Sequence, residues 1–451
     1  MKISKLGTIS IIIMLVAVLL LIIPVLAQEQ INLNLGNAIN MVLQNNETYQ
    51  IAQKEVDRAN ARIMEALATG LPQFTANLQY LRNWEIPSQV VNFNGEDQTI
   101  KFGTTNNYTA GLTVTQPIYN GGRTFTALKI AGTARKLVHE SLHSTRENLK
   151  EQTYNAFYGA LLAQEVLRVN QESQKLAMDN LDQVSKMYDQ GMAAEFDYLR
   201  AKVAVANLDP ALIKAQNDAE LAMSALKNLI GLNLQSQITL QADADSTQFI
   251  LPPIDEEAAK AELQEKRPEI LISEYNTKIN KQLISIATAD YRPSLFFSTS
   301  LQYQRFYETG RIFATHWNRS IFSALALSIP IFDSWKTPTA VKQAKIDYSQ
   351  SQLKEEAVKK GMILDFQQSL GKYNEARKRL SVQGDAIDLA RRGLKIATVR
   401  YESGVGTQLE VADARLSLSM AEINRAVAFH DLAVSYAALM RALGRDINTG
   451  N

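Results

Sequence analysis

The strongest constraint on this chain is an offset that recurs along it. Tyr188 and Tyr401, Gly191 and Gly404, Ala201 and Ala414, and Gly231 and Gly444 are each 213 positions apart. Pro117-Ile118 and Pro330-Ile331 keep the same spacing. A chain that carries its landmarks twice folds as two related units. A period of about 200 residues is an internal duplication, because solenoid repeats are far shorter.

Each unit reads as helix, two strands, long helix, turn, long helix. Apolar residues at helical spacing run from Leu35 to Thr69 and stop at Gly70-Leu71-Pro72. Phe74, Ala76, Leu78 and Tyr80 then alternate with Thr75, Asn77 and Gln79, the period of a strand. Trp84 to Asn107 is polar and reads as a long loop. Tyr108, Ala110, Leu112 and Val114 alternate next, and Asn120-Gly121-Gly122 breaks the pattern. Arg123 to Tyr188 follows without a proline, enough helix for about 100 Å. A returning helix reaches Ile230, and Pro210 is expected to kink it or to start a new one.

The second unit has a helix from Glu256 to about Ala289, stopped by Pro293. Two alternating runs, Leu295 to Tyr303 and Ile321 to Ile331, flank a polar loop from about Glu308 to Asn318. Pro338 suits the first turn of the next long helix, which runs to Tyr401, and a returning helix runs to Leu443. The expected divisions are 28–231 (hairpin 73–119, helical pair 123–231), a connector 232–256, 257–444 (hairpin 294–332, helical pair 338–444) and a tail 445–451. The fold class is mainly α with a small β part.

Residues 1–27 read as a signal peptide. Lys2 and Lys5 precede the apolar run Ile9 to Val25, and Val25-Leu26-Ala27 offers small residues at a cleavage site. No later stretch is apolar and uninterrupted enough for a membrane helix. Charges nearly cancel, 47 Lys+Arg against 46 Asp+Glu, so no basic surface points to nucleic acid. The chain has no cysteine, which excludes disulfides, thiolate metal sites and a lipidated N-terminal cysteine.

Four strands of about ten residues could cross a membrane at a tilt, but cannot close a barrel. An open sheet edge in lipid leaves backbone groups unpaired. In a membrane, therefore, two or more chains must share one barrel. Tyr80, Trp84, Tyr108, Tyr119, Tyr303, Trp317, Phe332 and Trp335 cluster near the strand ends, as interfacial girdles do. The other reading keeps the helices as a soluble or singly anchored periplasmic coiled-coil scaffold or adaptor, with the hairpins packed on its core.

The order of elements, the duplication, and Gln116-Pro117-Ile118-Tyr119-Asn120-Gly121-Gly122-Arg123 resemble the TolC family of outer-membrane efflux proteins. Ser328-Ile329-Pro330-Ile331-Phe332-Asp333 is the matching second segment, and Leu35-Gly36-Asn37-Ala38-Ile39 through Asn45-Asn46 resembles the opening helix. The family usually has proline where this chain has Glu47. The resemblance implies a homotrimer in the outer membrane of a Gram-negative bacterium. Its twelve-stranded barrel would continue as a helical periplasmic tunnel and serve as exit duct of an efflux pump or type I secretion system. The implied partners are a periplasmic adaptor, an inner-membrane pump or ABC transporter, and outer-membrane lipid, with no cofactor and no catalysis.

The stretch Tyr401 to Ala414 reads as a tight helix reversal. Gly404 and Gly406 offer positive backbone angles, Thr407 caps the next helix, and Glu410 and Asp413 share its first face. Gly191 marks the matching turn after Tyr188. The resemblance places Glu410 and Asp413 in an acidic ring at the closed periplasmic end. It places Tyr401 and Asp197 where neighbouring helices bond in the closed state. Gly406 stands where an arginine occurs in the best-known member, so one closing link is expected to be missing. Pro117, Gly121, Gly122 and Pro330 mark strand-to-helix junctions. His139-Glu140-Ser141-Leu142-His143 matches a zinc-protease pattern, but it lies mid-helix without a third ligand, so no metal is expected.

Overall fold

The computed structural model describes residues 31–93, 95–241, 246–307 and 317–447. The expected signal peptide and nearly all of the second polar loop lie outside the described residues. The chain divides into two compact units, one of residues 53–142 and 268–360, the other holding most of the remainder.

The first of these carries the sheet. Strands β2 (Gln73–Arg82), β5 (Asn106–Asn120), β7 (Ser294–Tyr307) and β8 (Asn318–Ser328) pair antiparallel in the order β2-β5-β7-β8. Alternation puts every second side chain on one face, and the register aligns those faces across strands. Ala76, Leu112, Leu301 and Ile321 form one cross-sheet row, and Leu78, Ala110, Tyr303 and Arg319 form the next. The other face carries Asn77, Gly111, Gln302 and Ser320, then Gln79, Thr109, Gln304 and Asn318. One face is thus mainly apolar and the other mainly polar, with Arg319 at the end of the apolar face and Phe322 on the polar one. On the apolar face Leu78 is 86% exposed and Leu325 65%.

The residues read as a loop between Trp84 and Asn107 contain a further hairpin, β3 (Ser88–Phe93) with β4 (Glu96–Lys101). Phe93 pairs with Glu96, and the sequence between them is Asn-Gly, the dipeptide that suits a two-residue turn. Gly95 has φ +92°, and its N–H donates to Asn92 Oδ1 at 3.1 Å. Polar composition hid a strand pair whose turn chemistry was legible.

Both opening helices are broken where a single helix was expected. The first is α1 (Leu35–Asn45) and α2 (Glu47–Ala68). Asn46 between them is extended, and its Nδ2 donates to the Leu229 carbonyl at 3.0 Å. No proline is needed: the amide draws its own backbone out of the helix to satisfy another helix's end. The long helices α3 (Arg123–Asp189) and α4 (Glu195–Leu229) follow. Pro210 lies inside α4, which runs on as one helix, so of the two outcomes expected there, a kink or a new helix, the new helix does not form. In the second copy Arg267 separates α5 (Glu256–Lys266) from α6 (Pro268–Thr288). Then α7 (Lys336–Glu402) and α8 (Gln408–Leu443) complete the order. Both α3 and α7 have 67 residues and start 213 positions apart.

The core of the second unit is aromatic. Tyr158, Phe249, Phe429 and Tyr436 pack mostly edge to face, with centroids 5.5–6.0 Å apart. Tyr373 donates its hydroxyl to the Phe249 carbonyl and accepts from the Leu251 N–H, both at 2.8 Å. The connector is thereby pinned into the helices. It also supplies β6 (Ile238–Leu240), parallel to β1 (Ile31–Leu33). Among the described residues α8 alone is long and apolar enough to cross a membrane, contrary to the sequence expectation, but 56% of its apolar window is buried in the protein. That burial marks it as a core helix.

Candidate functional site

The two helix reversals lie in the same unit. After α3, Gly191 takes φ +73°, and the Met192 N–H returns to the Met187 carbonyl at 2.8 Å. After α7, Gly404 takes φ +74°, and the Val405 N–H returns to the Arg400 carbonyl at 3.0 Å. These are left-handed helix caps that satisfy the last carbonyls. Thr407 caps α8, accepting from the Glu410 N–H at 3.3 Å.

Gly406 has a different role from the one expected. Its backbone is not left-handed. A Cβ there would lie 2.9 Å from both Arg400 Cβ and the Tyr401 nitrogen. The turn needs glycine there for space.

Glu410, one of the two expected acidic residues, has a partner that sequence reading missed. Arg400 Nε stands 3.5 Å from Glu410 Oε2 across the turn, both side chains about half exposed. Asp413, one turn further along α8, is exposed and has no ion pair among those described. The only signal for Arg400 was its place in the last turn of a helix, where a cation is favoured. Tyr401 is half-buried, and burial, followed by the nearby Asp197 carboxylate, holds its hydroxyl above the ordinary tyrosine range. The structure therefore brings Tyr401 and Asp197 within electrostatic reach of one another. Tyr188 and Tyr198 stack across the first turn at 5.4 Å.

Further along the same helices lies a cavity of about 640 Å³, bordered by Arg377, Arg391, Arg425, Glu165, Arg168 and Glu422, among others. Arg168 grips Glu165 through Nε at 2.9 Å and Nη2 at 2.7 Å and holds Glu172 at 2.7 Å. That hydrogen bonding holds the Glu165 carboxyl below its usual range. Glu422 lies 3.7 Å from both Arg168 and Arg391. This arginine-rich wall was not read from the sequence, because its residues come from three separate helices.

At the strand-to-helix junctions, Pro117 sits at a shift in the β5–β7 register. Gly121 and Gly122 have φ +68° and +85°, and a Cβ on Gly121 would lie 2.5 Å from the Ala289 carbonyl oxygen. The matching positions beyond Pro330 are Ser334 and Trp335, also left-handed at +56° and +67°. Asn120 Oδ1 accepts from the Thr124 N–H at 3.2 Å, and Asp333 Oδ2 from the Thr337 N–H at 2.7 Å, the same cap in both copies. His139 and His143 lie on α3, and no group of three possible metal ligands occurs among the described residues.

The family model described as "Outer membrane efflux protein" matches residues 38–232 and again 261–445. The cobalt-zinc-cadmium resistance protein CzcC of Cupriavidus metallidurans is 22% identical over 426 residues, 94% of this chain and 93% of its own length. Outer membrane protein TolC of Escherichia coli is 20% identical over 343 residues, covering 74% of this chain and 69% of TolC. A membrane protein of Pseudomonas aeruginosa has the same fold, with a TM-score of 0.76, 19% identity and 94% and 92% of the two chains covered.

Proposed function

The chain belongs to the outer membrane efflux protein family, and from that premise we propose that three copies close their sheets into one twelve-stranded barrel in the outer membrane. Exported compounds or proteins pass through it passively. The energy comes from an inner-membrane transporter, reached through a periplasmic adaptor. The turns α3–α4 and α7–α8 form the periplasmic gate. Tyr401 and Asp197 act between neighbouring helices there, and Glu410 and Asp413 line the constriction.

One observation carries this reading above the others. The sheet has an apolar and a polar face, and β2 and β8 each leave one edge unpaired. Lipid outside and water inside match the two faces, and only closure with other copies satisfies both edges. The scaffold reading gives no reason for Leu78, Phe74 and Leu325 to stand exposed in one face.

The test is fractionation followed by single-channel recording. Oligomers in the outer-membrane fraction that dissociate only on heating, and that conduct in planar bilayers, are the expected result. Complete extraction without detergent, together with silent bilayers, would overturn the proposal.

A further inference from the structure

We propose that the free edge of β8 pairs with the free edge of β2 in a second copy in one defined register. It sets Leu327 opposite Leu78 of the partner subunit and Leu325 opposite Tyr80 of the partner subunit. This rests on the reading that several copies share one barrel.

The register follows from the duplication. Within the chain Gln73 lies opposite Thr115 in the first hairpin, and Ser294 opposite Ser328 in the second. Moving the first-strand residue by 221 positions and the second-strand residue by 213 carries one pair onto the other. The two hairpins therefore have the same internal register. The junction between them is also visible: β5 of the first copy pairs with β7 of the second, with Leu112 opposite Leu301 and Val114 opposite Thr299. A closed ring of such units alternates first and second copies, so each chain's β8 must meet the next chain's β2. Applying the same two shifts to Leu112–Leu301 gives Leu325 with the partner's Tyr80. Applied to Val114–Thr299, they give Leu327 with the partner's Leu78.

The side chains agree with this placement, although they played no part in deriving it. Leu78 and Leu327 are 86% and 61% exposed, Tyr80 and Leu325 54% and 65%, and all four stand on the apolar face. On the polar face the same register brings Ser328 beside Asn77 of the partner subunit. A slip of one residue would set apolar side chains against the polar face throughout.

The chain's lack of cysteine makes the test clean. Facing residues in antiparallel strands have Cα atoms about 4.5–5.5 Å apart, within the range a disulfide bridges. A chain cannot link its own β2 and β8, which are three strand spacings, about 14 Å, apart. Leu78→Cys with Leu327→Cys, and Tyr80→Cys with Leu325→Cys, should each yield disulfide-linked oligomers on oxidation that reductant separates. Leu78→Cys with Leu325→Cys, offset by two residues, should not link. Linking through the offset pair, or no linking by either matched pair in assembled oligomers, would overturn the register and leave the channel standing. Recovery of the unaltered protein only as monomers would overturn both.

Discussion

Arg400 sets how acidic the proposed constriction is. Arg400, Glu410 and Asp413 carry a net charge of −1 per chain, so three copies place −3 around the axis. The ion pair at 3.5 Å makes Glu410 largely a dipole with its partner and leaves Asp413 as the uncompensated charge. Arg400→Gln doubles the ring to −6 without altering either carboxylate. A cation passing about 7 Å from each lost guanidinium gains about 0.6 kcal/mol per site in a water-like dielectric. About half of that survives screening at 0.1 M salt. Three sites then contribute about 0.9 kcal/mol, about fivefold in favour of a cation and about fivefold against an anion, so the cation over anion permeability ratio rises about twentyfold. Reversal potentials in a KCl gradient measure it directly. Adding Glu410→Gln to Arg400→Gln should return selectivity close to that of the unaltered channel. An unchanged or lowered cation preference in Arg400→Gln would refute the pairing.

Three other perturbations bear on the stability of the fold. Gly121→Ala meets both a left-handed backbone and the Ala289 carbonyl, whereas Gly404→Ala meets the backbone term alone, with open space around it. The left-handed term costs roughly 1–2 kcal/mol, so Gly121→Ala should lower the Tm well beyond Gly404→Ala. Glu262 is held down to about pKa 2, chiefly by hydrogen bonding from Arg445, with burial opposing and Lys266 adding. A lowered folded pKa means that this stability is present above the unfolded carboxyl pKa and is lost as pH falls towards 2. Acid unfolding of Glu262→Gln should therefore lack that component of the pH slope. Arg267 is buried, with Nη2 on Asp365 at 2.7 Å and Nη1 on the Ala442 carbonyl at 3.1 Å. Asp365→Gln should destabilise the fold by about 3 kcal/mol, because it removes a charged partner of a buried cation. Pairing it with Arg267→Asn should recover much of that loss in denaturant unfolding.

The elements legible in the sequence were those fixed by local periodicity. A 67-residue helix or a ten-residue alternation repeats its signal many times, so β2, β5, α3 and α7 emerge from residue spacing alone. Asn46 gave no such signal, because its helix break depends on the Leu229 carbonyl 183 residues away. Gly406 was read as conformational freedom when it answers a steric demand made by Arg400. Of the proposed gate, Glu410, Asp413, Tyr401 and Asp197 could be named from resemblance. The Arg400–Glu410 contact could not, since only folding of the turn brings the two together.

The duplication shows which features the fold demands. Asn46 and Arg267 stand at equivalent helix breaks, 221 positions apart, and donate to the equivalent carbonyls of Leu229 and Ala442. The backbone acceptor is kept while the donor changes from a neutral amide to a guanidinium. A buried guanidinium needs a counter-charge, and Asp365 supplies it, while the residue 213 positions earlier is the uncharged Gln152. The two junctions diverge in the same compensated way. Gly121 packs against Ala289, and its carbonyl accepts from Arg292 at 3.1 Å. Trp335, at the position matching Gly122, is 70% exposed, and the position matching Arg292 is Leu71, 48% exposed. Where the first copy joins the second through a charged donor and a glycine, the second copy presents two apolar side chains in search of each other. Within one chain they cannot meet by the symmetry that joins Gly121 to Ala289. In a closed ring the same symmetry sets Trp335 against Leu71 of the partner subunit, so the helix junction and the strand edge call for one and the same neighbour.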